Sequence, residues 1–281
     1  MKTHHVTGGG GVRLHVVETG NAQGHSILFI HGFSQCSLSW TKQLNSDLAD
    51  EFRLVAMDLR GHGLSDKPRD AYADSSLWAD DVNAVIQTLN LTQPILTGWS
   101  YGPLVILDYI RHYGDDAIGG IQFVGGITKL GSEAAFSVIT PEFLANVPAM
   151  LSNDAEESAR GMDALLDMVL DSELSPAERY LMLGFNLSVP PYVRQALFAR
   201  AFDNDDLLPR IRKPVLLTQG TSDGVVKPAA ADQHTAAVAH AELHLVEGGS
   251  HAPFWDDPVA FNRRLAEFAT AAHRRAVAPA V

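Results

Sequence analysis

Ser100 stands between two glycines in Gly98-Trp99-Ser100-Tyr101-Gly102. These five residues follow the apolar run Ile95-Leu96-Thr97 and precede residues 104–111, which read as a buried helix. A strand that enters a helix through so tight a turn forces its central residue into a strained conformation. Only small residues two positions before and two after avoid collision, which gives Gly98 and Gly102 a steric reason. The turn lifts the Ser100 hydroxyl to a helix N-terminus, where the dipole favours a developing anion. That is the placement of a nucleophile. A serine hydroxyl still needs a histidine to take its proton and a carboxylate to orient that histidine.

Of the 12 histidines, His251 is singled out by Glu247-Gly248-Gly249-Ser250-His251, just past the last strand-like run. Parallel-sheet sites collect at such strand ends. Asp223 lies likewise in Gly220-Thr221-Ser222-Asp223, just past the preceding strand. The order Ser100, Asp223, His251 is the one that a nucleophile-elbow fold requires. Acyl chemistry also needs two N–H donors aimed at the oxyanion. The backbone N–H of Tyr101 is one candidate. The Phe33 N–H, in Ile30-His31-Gly32-Phe33-Ser34, is the other, with Gly32 turning the chain toward the site. His31 has a competing reading as a second base, but its place at the strand-to-loop turn favours a structural role. Cys36 reads as buried packing rather than a reactive thiol.

Other constellations fall away. His240 and His244 are four apart, but the segment between them enters a strand, so they do not form one metal-binding helix face. His25 and His273 read as solvated. The four glycines at 8–11 have no following Lys-Ser or Lys-Thr, which excludes a phosphate loop, and no dinucleotide fingerprint occurs. No metal and no organic cofactor is expected.

The elements that must position these residues follow from periodicity. Strand-like runs at 27–30, 54–57, 95–97 and 121–124 alternate with helical patterns, the clearest carrying Trp78, Val82, Val85, Ile86 and Leu89. Strand, helix, strand at this spacing means a parallel sheet. Residues 12–17 read as the second arm of a hairpin, hence an antiparallel edge. The alternation returns at 214–219 and 243–246, and Asp257-Pro258 opens a last helix with Phe261, Leu265 and Phe268 on its apolar face. Between about 128 and 209 there are only helix signals: Thr140-Pro141, Asp154-Ala155-Glu156-Glu157, the capping box Ser175-Pro176-Ala177-Glu178, and Pro190-Pro191. Four of the six methionines fall there with several phenylalanines, as a helical layer with its own core or a pocket roof requires.

At 46% hydrophobic and 19% charged the chain has the composition of a soluble globular protein, and its 281 residues allow one large domain or a core domain with a sizeable insertion. A formal charge of −12 makes nucleic acid and anionic membrane poor partners. The lone cysteine allows no internal disulfide. The N-terminus lacks a signal-peptide core and no apolar run is long enough to span a bilayer, so a cytoplasmic protein is expected.

Taken together, His31-Gly32-Phe33, the segment Asp58-Leu59-Arg60-Gly61-His62-Gly63-Leu64-Ser65-Asp66, the Ser100 turn, Asp223 and His251 resemble the α/β-hydrolase superfamily. The similarity is to its cap-bearing branch of cofactor-free haloperoxidases or perhydrolases, small carboxylesterases and lactonases. Tyr101 and Pro103 depart from the residues common there. The resemblance implies a mostly parallel eight-stranded α/β sheet flanked by helices, with an all-helical cap inserted after the sixth strand. The core would be residues 1–127 and 210–281 and the cap 128–209, with Asp58 to Asp66 a structural loop. It also implies a serine hydrolase that cleaves an ester or lactone through an acyl-enzyme. Perhydrolysis and C–C bond hydrolysis use the same triad, and a small-molecule receptor on the same fold is a rival from another class. A small-molecule substrate is the expected partner. Phe33, Tyr101, Phe254 and Trp255 are the expected pocket lining, while Trp99 is expected to pack beneath the sheet. The loops near Ser100 carry no Lys or Arg, which favours a neutral, moderately hydrophobic substrate, although Arg194 or Arg200 of the cap could reach in.

Overall fold

Short runs rich in β-branched and aliphatic residues assemble into one eight-stranded sheet in the computed structural model, which describes residues 1–277. The last four residues of the expected core segment 210–281 therefore lie outside the described range. The strands are β1 (Lys2–Thr7), β2 (Arg13–Gly20), β3 (Ser26–Ile30), β4 (Arg53–Met57), β5 (Ile95–Trp99), β6 (Gly120–Val124), β9 (Val215–Gly220) and β10 (Glu242–Val246), the numbers 7 and 8 going to the insertion. Their order is β1-β2-β4-β3-β5-β6-β9-β10. The pairs β1 with β2 and β2 with β4 are antiparallel, and all the others are parallel. β3, β5, β6 and β9 are buried throughout, as parallel strands covered by helices on both faces must be.

The helices of the core are α1 (Thr41–Leu44), α2 (Leu48–Glu51), α3 (Ser75–Thr88), α4 (Gly102–Tyr113), α10 (Ala229–Ala237), α11 (Pro253–Asp256) and α12 (Pro258–Val277). α3 packs on α4, burying the predicted stripe Trp78, Val82, Val85 and Ile86. At its start the Asp74 side chain accepts the Ser76 N–H.

The insertion between β6 and β9 holds β7 (Lys129–Leu130), α5 (Glu133–Ser137), α6 (Pro141–Met150), α7 (Ala155–Val169), α8 (Pro176–Leu187), α9 (Pro191–Phe198) and β8 (Phe202–Asp203). Thr140, Asp154 and Ser175 cap α6, α7 and α8 as the sequence predicts, the last in a full capping box. The expected all-helical layer has one addition. β7 and β8 pair antiparallel where the chain leaves and re-enters the core. Two residues per strand are too few to show an alternation in sequence.

The Asp58 to Asp66 segment is structural. Asp58 is buried and accepts N–H bonds from Ser37 (2.7 Å) and Leu64 (2.8 Å) and one from His15 Nδ1 (3.0 Å). Burial alone would raise its pKa, but these bonds together with nearby His31 outweigh it and hold the carboxyl at about 2. Arg60 and Asp81 form a fully buried bidentate pair at 2.7 Å, and the guanidinium also donates to the Gly9, Ala71 and Leu77 carbonyls. One expectation is corrected: His273 is buried, its ring stacked on His25 at 3.7 Å, because it lies on α12, whose Phe261, Leu265, Phe268 and Ala272 are buried in the core.

Candidate active site

β5 runs straight into α4 through Ser100, whose φ of +58° is left-handed. Hydrogen bonds from both sides hold it there. The Ser100 N–H donates to Val124 O (2.9 Å), and the Ile127 N–H donates to Ser100 O (3.1 Å). A side chain at Gly98 would strike the Gly102 and Pro103 backbone at 2.9 Å, and one at Gly102 would strike Ile30 O at 2.6 Å. Both glycines are thus required by close approach, as the sequence suggests. Gly32 does the same from the β3 end: a Cβ there would lie 2.9 Å from Ser100 Cβ. Ser34, two residues on, is also left-handed at φ +60°.

Asp223 follows β9 and His251 follows β10, and the fold brings them together. His251 Nδ1 and Asp223 Oδ2 are 2.8 Å apart, both side chains buried. Asp223 is held on every side. Its Oδ1 accepts the Val225 and Val226 N–H groups, each at 2.8 Å, and its Oδ2 also accepts from Gln219 Nε2 at 3.0 Å. A carboxylate with four donors is fixed in place and keeps its proton acceptor face on the imidazole. Ser100 and His251 border one small cavity, with Gly32 and Phe33 beside them. Ser100 Oγ and His251 make no direct hydrogen bond, a contact that often tightens only with substrate in place.

Ser100 also opens on a larger, apolar cavity of about 40 Å³. Phe33 and Tyr101 line it from the core, with Val225 and Val226. Phe136, Ile139, Phe143, Leu144 and Phe198 line it from the insertion. The Phe198 ring meets Phe33 edge-on at 4.9 Å, closing one wall. No charged side chain lines this space.

Residues 25–258 match the family model described as alpha/beta hydrolase fold. The chain belongs to that family. It is 36% identical to an esterase from Rhodococcus sp. ECU1013, at a TM-score of 0.92 covering 96% of this chain and 99% of that one. A pimeloyl-acyl-carrier-protein methyl ester esterase from Vibrio vulnificus strain YJ016 is 28% identical over 255 residues, which are 88% of this chain and 95% of that protein. An AB hydrolase superfamily protein from Bacillus subtilis strain 168 is 27% identical over 265 residues, 92% of this chain and 95% of that protein. The protein is a hydrolase enzyme of this esterase-containing family.

Several residues of the hydrolase do not lie where the sequence suggests. Trp99 is at the site rather than beneath the sheet: its Nε1 donates to His251 O at 2.9 Å and its ring is 5.5 Å from the imidazole. Phe254 and Trp255 are absent from the apolar cavity of Ser100. They line a separate small space with Met182, Phe185 and Leu170, and Trp99 borders it. The cause is α11, a four-residue helix that folds them back so that Phe254 packs on Trp40 at 4.3 Å. Arg200 does not reach the cavity either. Its guanidinium donates to Asp108 Oδ2 (2.7 Å) and to the Tyr101 hydroxyl (3.2 Å). Arg194 donates only to Ser158 Oγ (2.8 Å), with Nε and Nη1 unpaired, and its burial lowers its pKa to about 10.

Three contributors are not visible as motifs. Gln219 braces Asp223, Trp99 braces the His251 backbone, and Gly125, left-handed at φ +49°, clears space for the His–Asp pair. Only Gly125, in Gly125-Gly126 just past β6, carries a sequence signal. His31 is spoken for: Nε2 accepts the Leu59 N–H (3.0 Å), so Nδ1 donates to Gly32 O (2.8 Å). Burial lowers its pKa, which keeps that neutral form. Burial pushes the Cys36 thiol up to about 12, leaving no nucleophile there at neutral pH. Among the described residues no group of three His, Cys, Asp or Glu side chains is placed to hold a metal ion, and no helix is long and apolar enough to cross a membrane.

Proposed function

We propose that this enzyme is a serine hydrolase that cleaves a neutral, moderately hydrophobic carboxylic ester or lactone through an acyl-enzyme. One observation carries the reading: a strained, exposed-to-cavity Ser100 shares its cavity with His251, whose far nitrogen bonds a buried, fully braced Asp223. Ser100 Oγ attacks the carbonyl carbon as His251 Nε2 takes its proton. Nδ1–H donates to Asp223 throughout, which fixes the tautomer and stabilises the imidazolium. The Phe33 and Tyr101 backbone N–H groups receive the oxyanion. His251 then gives its proton to the leaving oxygen, and the reverse cycle with water releases the acid.

The substrate class rests on the lining. A carboxylate or phosphate on the substrate would meet no cationic side chain in the larger cavity, which Phe, Leu, Ile and Val line with Ser100 and Tyr101 and which neither Arg194 nor Arg200 borders. Each buried substrate methylene is worth about 0.8 kcal/mol there. A p-nitrophenyl ester series from acetate to dodecanoate tests this: kcat/KM is expected to rise over the short chains and then fall as the pocket fills. A fluorophosphonate is expected to label Ser100 alone, and Ser100→Ala to abolish both labelling and turnover with the fold intact. Full turnover in that variant, or a preference for anionic esters, overturns the reading.

A further inference from the structure

The structure ties the insertion to the turn that bears Ser100 through one side chain. Arg200 lies in the short link between α9 and β8, where the insertion rejoins the core. It is buried. Its Nη1 donates to the Tyr101 hydroxyl and its Nη2 to Asp108 Oδ2. Tyr101 is the N-cap residue of α4, and Asp108 lies about two turns further along the same helix. One guanidinium therefore grips the helix behind the nucleophile at its first residue and in its middle. The grip is enclosed: Arg200 lies over the Phe202 ring at 3.8 Å and the Trp78 ring at 4.7 Å, and Trp78 stands 6.2 Å from the Tyr101 ring.

We propose that Arg200 is a positioning residue, holding the Tyr101 phenol so that the Tyr101 backbone N–H stays aimed at the carbonyl oxygen of the substrate. This rests on the serine-hydrolase reading above, in which that N–H is an oxyanion donor. The peptide that carries the Tyr101 N–H is held at its carbonyl end by the Ile127 N–H on Ser100 O, and its other end, the Tyr101 Cα, is held by the buried Tyr101 ring. Fixing the hydroxyl fixes the ring and with it the Cα, so the N–H is aimed by a peptide held at both ends. A donor of this kind acts only when it is preorganised, and a displacement well under 1 Å is enough to lose rate. The anchor belongs to the insertion rather than to the sheet, so the same contact couples the seating of the cap to the competence of the oxyanion site.

The test uses two single variants and their double. Tyr101→Phe removes only the hydroxyl and leaves the Arg200–Asp108 pair in place, and its thermal unfolding is measured beside the kinetics to separate a lost fold from a lost contact. It is expected to lower kcat for a short p-nitrophenyl ester about tenfold with KM within about twofold, since full loss of an oxyanion donor costs about 10²–10³. The rate of fluorophosphonate labelling at Ser100 is expected to fall in parallel. Arg200→Met is expected to lower kcat at least as much, and the double variant to fall no further than Arg200→Met alone, because the two residues act as one unit. Wild-type kcat in Tyr101→Phe overturns the proposal, and so do multiplicative losses in the double variant. Ser100→Ala is run beside them: if it stays active, the underlying reading has failed, whereas an inactive Ser100→Ala with an unimpaired Tyr101→Phe refutes the positioning role only.

Discussion

Gly125 offers the sharpest probe of how the His–Asp pair is held. A Cβ built there lies 2.9 Å from His251 Nδ1, 3.1 Å from His251 Cε1 and 3.1 Å from Asp223 Oδ2. Relaxing those contacts to ordinary van der Waals distance moves the imidazole by about half an ångström, because Asp223 is pinned by its other three donors. Gly125→Ala carries a second cost, since φ is +49° there and an L-residue in that region loses about 1–2 kcal/mol. The two effects separate by control. Gly11 has φ +80° with open space around its Cβ position, at the turn between β1 and β2 on the sheet edge. Gly11→Ala is therefore expected to lose stability alone. Gly125→Ala is expected to lose a similar amount of stability and, in addition, about 10- to 100-fold in kcat for p-nitrophenyl acetate, from misplacement of the base. Steady-state kinetics and thermal unfolding on the same preparations decide it. A folded Gly125→Ala with kcat within twofold of wild type refutes the reasoning, because the imidazole would then have room to retreat.

Two further outcomes follow from buried charge. Arg194 is buried with a single hydroxyl partner, so Arg194→Met is expected to stabilise the protein by about 1–2 kcal/mol after the lost Ser158 bond and solvent screening, raising Tm by a few degrees with short-ester activity unchanged; a lower Tm contradicts this. Burial lowers the pKa of His62 to about 3 and that of His234 to about 4, so both remain neutral in the fold while the unfolded chain takes up protons below about 6.5. Stability from these groups is thus complete above about pH 6.5 and is lost as pH falls through 4 and then 3. Urea midpoints at pH 7, 5 and 4 should fall in that order, and a flat series would be inconsistent with the burial of these rings.

The sheet and the clustering of Ser100, Asp223 and His251 were legible because each leaves a local mark. Gly98 and Gly102 announce a turn too tight for side chains, and Asp223 and His251 sit one short loop past an apolar run. What escaped is set by distance in the chain. Gln219 reads as an ordinary residue of a buried strand, and its amide finds Asp223 only because β9 turns back at Gly220. Trp99 has no periodicity to show which side of the turn it faces. Phe254 and Trp255 follow His251 closely, yet a four-residue helix was enough to take them to a different cavity. In the insertion, the sequence distinguishes helix from loop but not the destination of a charge: Arg194 and Arg200, six residues apart, end with unlike partners, one a lone serine and the other a carboxylate and a phenol.

The proposed nucleophile and the proposed base are held by unlike means. Ser100 leaves β5, which lies between β3 and β6 and is paired on both sides, so its strained turn is set by the sheet itself. His251 leaves β10, the edge strand, whose Leu243 and Leu245 are exposed and which has only β9 beside it. An edge strand alone gives a looser platform. The position of His251 therefore depends on residues of the sheet interior: the Trp99 indole on the His251 carbonyl, Asp223 on the ring, and Gly125, whose lack of a side chain leaves both their space. Two of those three, Trp99 and Gly125, sit at the ends of β5 and β6. The central strands thus set the geometry of both partners, directly for Ser100 and through borrowed contacts for His251. Substitutions in this bracing set should separate from those in the apolar cavity by lowering kcat for every ester alike, whereas changes at Phe143 or Phe198 should reorder the chain-length preference.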